Sequence, residues 1–144
     1  MRRIGERVGM RAASLYKHFP NKEALEAAMM SVGFERKAEA FERAGADLPA
    51  LTAAYRTFAR EHPHLYRLMT ERPLRRDLLE PGVEDRAAAP VIEAAGGDRH
   101  AARAAWAFAH GMTILELNDR FPPDADLDAA WSRGVGALER QTSE

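Results

Sequence analysis

Six basic side chains crowd the first 25 residues of this 144-residue chain, Arg2, Arg3, Arg7, Arg11, Lys17 and Lys22, against Glu6 and Glu23, a local net charge of +4. The remainder carries 15 basic and 20 acidic side chains, so the overall charge of −1 conceals a basic head on an acidic body. Such a head can seat on a polyanion, although six charges can also form an ordinary solvated face. Interleaved with the cations are Ser14, Tyr16 and His18, whose hydroxyl and imidazole groups reach phosphate oxygens or base edges, as lysine does. Other chemistries are poorly provided for. Cysteine is absent, which removes structural disulfides, thiol nucleophiles and cysteine-ligated zinc. His62 and His64 flank Pro63, but no carboxylate constellation completes a metal site, and a bend between helices with capping histidines is the better reading. Five histidines and 22 acids yield no nucleophile–base pair, phosphate loop or metal spacing, so neither enzymatic activity nor a cofactor is expected.

Helices must position these groups. Alanine occurs 28 times while valine, isoleucine and threonine together number 13, a balance that favours helix over strand. Proline and glycine cut the chain into predicted helices at 2–8, 13–19, 22–44, 49–61 and 64–70, a broken stretch around Pro73 and Pro81, then 83–95, 99–118 and about 125–140. The expectation is an all-α protein. Asn21 and Asp98 signal helix starts, each offering a capping side chain. No repeat, low-complexity tract or Ser/Gly-rich linker marks a mobile boundary. The division expected is a head at 1–44 and a regulatory body at 45–144, joined rigidly through the helix 22–44. No apolar run approaches the ~18 residues of a membrane span, and the start lacks the apolar core of a signal peptide, so a cytoplasmic protein is expected.

Within residues 2–25, RRIGERVGMRAASLYKHFPNKEAL, two short helices around Gly9 fit the helix-turn-helix scheme. Leu15 and Phe19 share one face of the second, turned inward with Ile4 and Val8, leaving Ser14, Tyr16, Lys17 and His18 outward. Lys22 sits where a helix N-terminus already favours an anion. The run from Ile4 to Leu25, with Gly9, Leu15-Tyr16, His18-Phe19 and Asn21-Lys22-Glu23-Ala24-Leu25, resembles the DNA-binding signature of the TetR family of one-component bacterial transcriptional regulators. The resemblance implies that Tyr16 and His18 contact phosphates, that Arg11, Ser14 and Lys17 contact bases or phosphates, and that Lys22 clamps the backbone. Family members carry one further helix ahead of this motif, and the chain begins inside what would be the second. The resemblance therefore leaves three alternatives, a start that lies upstream, a fragment, or a short form that has lost tight DNA binding. Without the further helix Ile4, Val8, Leu15 and Phe19 would expose apolar area at a cost of ~25 cal/mol per Å².

In the body, Tyr55, Phe58, Leu65, Tyr66 and Met69 form apolar faces interrupted by Pro63. Helix 99–118 sets Trp106, His110, Thr113 and Leu117 at helical spacing, with Ala102, Ala105, Ala109 and Gly111 small enough for another helix to approach closely. Leu127, Trp131, Gly134 and Leu138 repeat that spacing, and two such helices can pair with their symmetry mates as a four-helix bundle. An aromatic stripe is ordinarily core, so Trp106 and His110 either pack or touch a ligand, packing being the commoner use. Trp106, His110 and Gly111, then Leu115-Glu116-Leu117, Arg120-Phe121-Pro122, Asp124 and Asp126, resemble the C-terminal ligand-sensing and dimerisation domain of one TetR subgroup, named for its Trp-His-Gly (WHG) motif. Together the two resemblances imply a repressor released from operator DNA by a small hydrophobic or aromatic effector, homodimeric through its last two helices. Phe58, Tyr66, Met69, Trp106 and His110 are the pocket candidates. The alternative is a truncated, dimerisation-only regulator that does not bind DNA specifically.

Overall fold

Asn21, just after Pro20, accepts a 2.8 Å hydrogen bond from the Ala24 N–H and so starts the first helix, α1 (Lys22–Ala44). The computed structural model describes residues 17–142, among which every regular element is helical and none is a strand. Gly45, at φ 119°, a value rarely open to other residues, ends α1. Asp47 caps α2 (Leu48–Glu61) through the Ala50 N–H at 2.8 Å, with Pro49 in the first turn. Then come α3 (Pro63–Thr70), a single 3-10 turn (Arg76–Leu78) and α4 (Val83–Ala94). Asp98 caps α5 (Arg99–Leu117) through the N–H groups of His100 and Ala101. Asp126 accepts from the Ala129 N–H at 3.0 Å where α6 (Leu127–Thr142) begins. The caps expected at Asn21 and Asp98 are in place. Those at Asp47 and Asp126 follow the same chemistry and extend it.

Two local expectations need correction. The predicted helix 13–19 does not run through its last residues: Lys17 and His18 form a turn, because Pro20 disfavours helical backbone at Phe19. The bend at Pro63 is present, but His62 makes no side-chain capping bond. Its backbone N–H bonds the Phe58 carbonyl instead, and its ring lies 5.4 Å from that of Phe58.

Helix α2 is the axle of the body, packed by α1, α3, α4, α5 and α6. Its buried residues Leu51, Tyr55 and Phe58 meet Met30, Phe34 and Phe41 of α1, Tyr66 and Met69 of α3, and Trp131 of α6 in one core. Helices α5 and α6 approach through Gly134, where an added Cβ would collide with the ring of Phe108. That ring meets Trp131 edge-on, centroids 5.7 Å apart. On α5 the buried seam is Ala102, Ala105, Ala109 and Thr113. The small residues let the neighbouring helices close in, and they leave bulky Trp106 52 % exposed instead of packed in the core.

Candidate functional site

A cavity of about 700 Å³ opens where α1, α2, α4 and α5 diverge, within the size range that holds small organic ligands. Phe34, Lys37 and Phe41 face it from α1, and Leu48, Leu51, Thr52 and Tyr55 from α2. Met69 and Thr70 at the end of α3, with Arg72, Leu74 and Arg76 of the following segment, close another side. Val91 and Ile92 of α4 and Ala102, Ala105, Trp106 and Ala109 of α5 complete the apolar wall.

Of the five pocket candidates, Met69 and Trp106 line this cavity, whereas Phe58, Tyr66 and His110 do not. Phe58 lies in the core, 4 % exposed. Tyr66 and His110 form a polar row behind the wall: the Tyr66 hydroxyl lies 2.8 Å from that of Tyr55 and 2.6 Å from His110 Nδ1. Burial raises both phenol pKa values and lowers that of the imidazole, which keeps all three groups neutral near pH 7. Neutral, the three groups share these two bonds: either hydroxyl can donate to the other, and the His110 tautomer sets the direction of the bond to Tyr66. The cavity-lining ring of Tyr55 is thereby held from behind.

Lys37 is the residue that sequence reasoning missed. It falls between Phe34 and Phe41 on the inward face of α1, and this phase, a lysine at core spacing, was its visible signal. Its ammonium lies 4.9 Å from the Phe34 ring centroid and 5.9 Å from that of Tyr55. Surrounding protein desolvates it and lowers its pKa to about 8, with the Glu84 charge partly opposing the shift. A lowered lysine pKa costs stability while the folded state must carry the proton. Lys37→Met should therefore raise the unfolding free energy at pH 7 by about 1–3 kcal/mol. Between pH 8 and 10.5 the unfolded chain keeps a proton that the folded chain has released, so the wild type gains stability with pH and the difference closes. Urea titrations of both proteins at pH 7 and pH 10 check this; a wild type at least as stable as the variant at pH 7 refutes it.

At the basic end, Lys17 and His18 are exposed, and exposed Lys22 lies 3.5 Å from Glu26. Arg11, Ser14 and Tyr16 lie outside the described residues. Missed here was the tie between this end and the cavity. Arg72, a cavity residue, donates to both Glu26 oxygens at 2.9 and 3.1 Å, and Arg75 pairs with Glu23 at 3.2 Å. The Glu80 N–H donates to Ser31 Oγ at 3.0 Å. The segment that closes the cavity is thus fastened to the first turns of α1.

The described residues thus form an all-helical body with an apolar cavity, carried on the helix that follows the basic end of the chain. Comparison with known proteins gives the class. Residues 48–138 match the family described as Tetracyclin repressor-like, C-terminal domain, and residues 1–29 match Bacterial regulatory proteins, tetR family. An uncharacterized HTH-type transcriptional regulator of Mycobacterium tuberculosis is 29% identical over 158 aligned positions, covering 97% of this chain and 72% of that protein. The crystal structure of SCO4313, designated a regulatory protein, shares the fold with a TM-score of 0.72 at 23% identity, over 94% of this chain and 82% of that one. The chain belongs to the TetR family of transcriptional regulators, which are DNA-binding proteins and not enzymes. No described helix is long and apolar enough to cross a membrane.

Proposed function

We propose that the protein is a ligand-responsive repressor, a cytoplasmic homodimer that leaves operator DNA when a small apolar molecule fills the cavity of the body. The single observation that carries the reading is Arg72, which lines the cavity and grips the buried carboxylate of Glu26 in the second turn of α1. An occupant that displaces Arg72 shifts the seat of the helix leading to the DNA-binding end, and two heads on one dimer convert such shifts into a changed half-site spacing. In this reading residues 1–44 form the head, with Arg11, Ser14, Tyr16, Lys17, His18 and Lys22 on DNA, and residues 45–144 sense the effector and dimerise. The body has the role of the Trp-His-Gly subgroup: Trp106 stands on the cavity wall, and His110 supports it through Tyr66 and Tyr55.

Fluorescence anisotropy against DNA from around its own gene and a scrambled control, each at two salt concentrations, tests the head. Tight, selective binding that weakens with salt supports the repressor. Weak binding indifferent to sequence overturns it in favour of a dimerisation-only regulator. Linkage tests the coupling: saturating specific DNA should lower the affinity for the neutral apolar probe N-phenyl-1-naphthylamine about fivefold or more. Arg72→Gln should abolish that effect. Equal linkage in wild type and variant would remove Arg72 from the path.

A further inference from the structure

We propose that the cavity selects an apolar acid, a molecule with a carboxylate on a hydrophobic body, and that the carboxylate rests on the Lys37 ammonium. This deepens the effector reading above and rests on the cavity being a ligand site. The charge on the wall carries the argument. Although the body as a whole is acidic, its cavity is bordered by five cationic side chains and only two carboxylates, those of Glu84 and Asp85. Two of the cations are already spoken for: Arg72 by Glu26, and Arg76 by Glu84 through two bonds of 2.7 Å. Arg99 and Arg103 are exposed to solvent. Lys37 remains, only partly exposed and set over two aromatic rings that themselves line the cavity. Among the described residues no carboxylate pairs with it, and the one whose charge it feels, Glu84, is held by Arg76.

A desolvated cation without a paired carboxylate is costly in such a wall, and an arriving anion relieves that cost. With its pKa near 8, Lys37 is still largely protonated at neutral pH and so able to receive a carboxylate. Phe41, Leu48, Leu51, Leu74, Val91 and Ile92, which also line the cavity, offer apolar surface to the rest of the ligand. A neutral hydrocarbon would leave the ammonium uncompensated, and a cation would add repulsion.

Displacement of N-phenyl-1-naphthylamine from the full chain at pH 7 tests the assignment with two matched pairs, decanoate against 1-decanol and 2-naphthoate against 2-naphthalenemethanol. The acid should bind at least tenfold more tightly than its alcohol in one pair or both, and the pair concerned distinguishes an alkyl from an aromatic body. Lys37→Met should erase the preference while leaving the alcohols as tight or tighter, and Lys37→Arg should retain it. Equal affinity of acid and alcohol in both pairs, no displacement by any of the four, or a preference that survives Lys37→Met overturns the proposal while the cavity reading stands. Failure of the neutral probe itself to bind overturns both.

Discussion

Tyr66→Ala should lower the unfolding free energy by about 3–5 kcal/mol, the range for emptying a buried aromatic site. Tyr66 is 1 % exposed and sits between α2 and α5, its ring meeting that of Tyr55 edge-on at 5.6 Å and that of His110 at 5.8 Å. Truncation removes the ring, opens a cavity in the core and leaves the Tyr55 hydroxyl and His110 Nδ1 without a shared partner. Tyr66→Phe separates these contributions: it keeps the ring and strands the two polar groups, at about 1–3 kcal/mol. Urea unfolding of the three proteins gives both numbers. A Phe variant as costly as the Ala variant would place the whole effect in hydrogen bonding, and an Ala variant within error of wild type would remove Tyr66 from the core. Because Tyr55 lines the cavity, both variants should also loosen probe binding if the proposed effector site is there.

The second large effect lies where α2, α5 and α6 meet. The Arg56 guanidinium donates to both Glu116 oxygens, at 2.8 to 3.1 Å, and to Asp128 at 2.6 Å, and it lies 5.5 Å from the Trp131 ring. Trp131 Nε1 also donates to Glu116, at 3.3 Å. With the Arg56 and Glu116 side chains 18% and 15% exposed, the pair is largely removed from water. Arg56→Met should cost about 2–4 kcal/mol at pH 7, because it leaves a mostly buried carboxylate without its main cation. Burial pushes the Glu116 carboxyl up, but the bonds from Arg56 and Trp131 outweigh it and hold the pKa below the ordinary 4.5. A carboxyl held low stabilises the fold above its unfolded pKa and loses that contribution as pH falls through the folded value. In Arg56→Met burial is opposed only by the Trp131 bond and the Arg60 charge, so the folded pKa rises above that of the wild type and the variant gains stability relative to the wild type on acidification. The thermal midpoints of wild type and variant should converge between pH 7 and 3. A constant gap would mean that Glu116 is not the group left stranded. The double variant Arg56→Met/Glu116→Leu should recover most of the loss, since an apolar pair needs no compensation.

Much of this protein was legible from residue order. Capping, helix breaking and apolar spacing act within about four residues. Asn21 and Asp98 therefore announced the starts of α1 and α5, Pro63 announced the bend between α2 and α3, and the alanine-rich composition announced an all-helical chain. The run Ile4 to Leu25 placed the family as well, because those residues stand next to one another in the chain. Even the miss at Phe19 was local, since the proline beside it stops a helix that the apolar spacing alone would have carried on.

What only the tertiary structure decided is which faces meet. Spacing put Tyr66, Trp106 and His110 on apolar or mixed faces, but the crossing of α2, α3 and α5 sent Tyr66 behind the wall and Trp106 onto it. Arg56 finds Glu116 across 60 residues and Asp128 across 72, and Arg72 finds Glu26 across 46. No local rule pairs such residues. They meet because the small seam of α5 and the glycine of α6 let helices close at some places, while the cavity holds them apart at another. Lys37 shows the same division of labour. Its place in an apolar stripe could be read from the chain, but that the stripe faces a 700 Å³ space and not packed core was a property of the assembled helices.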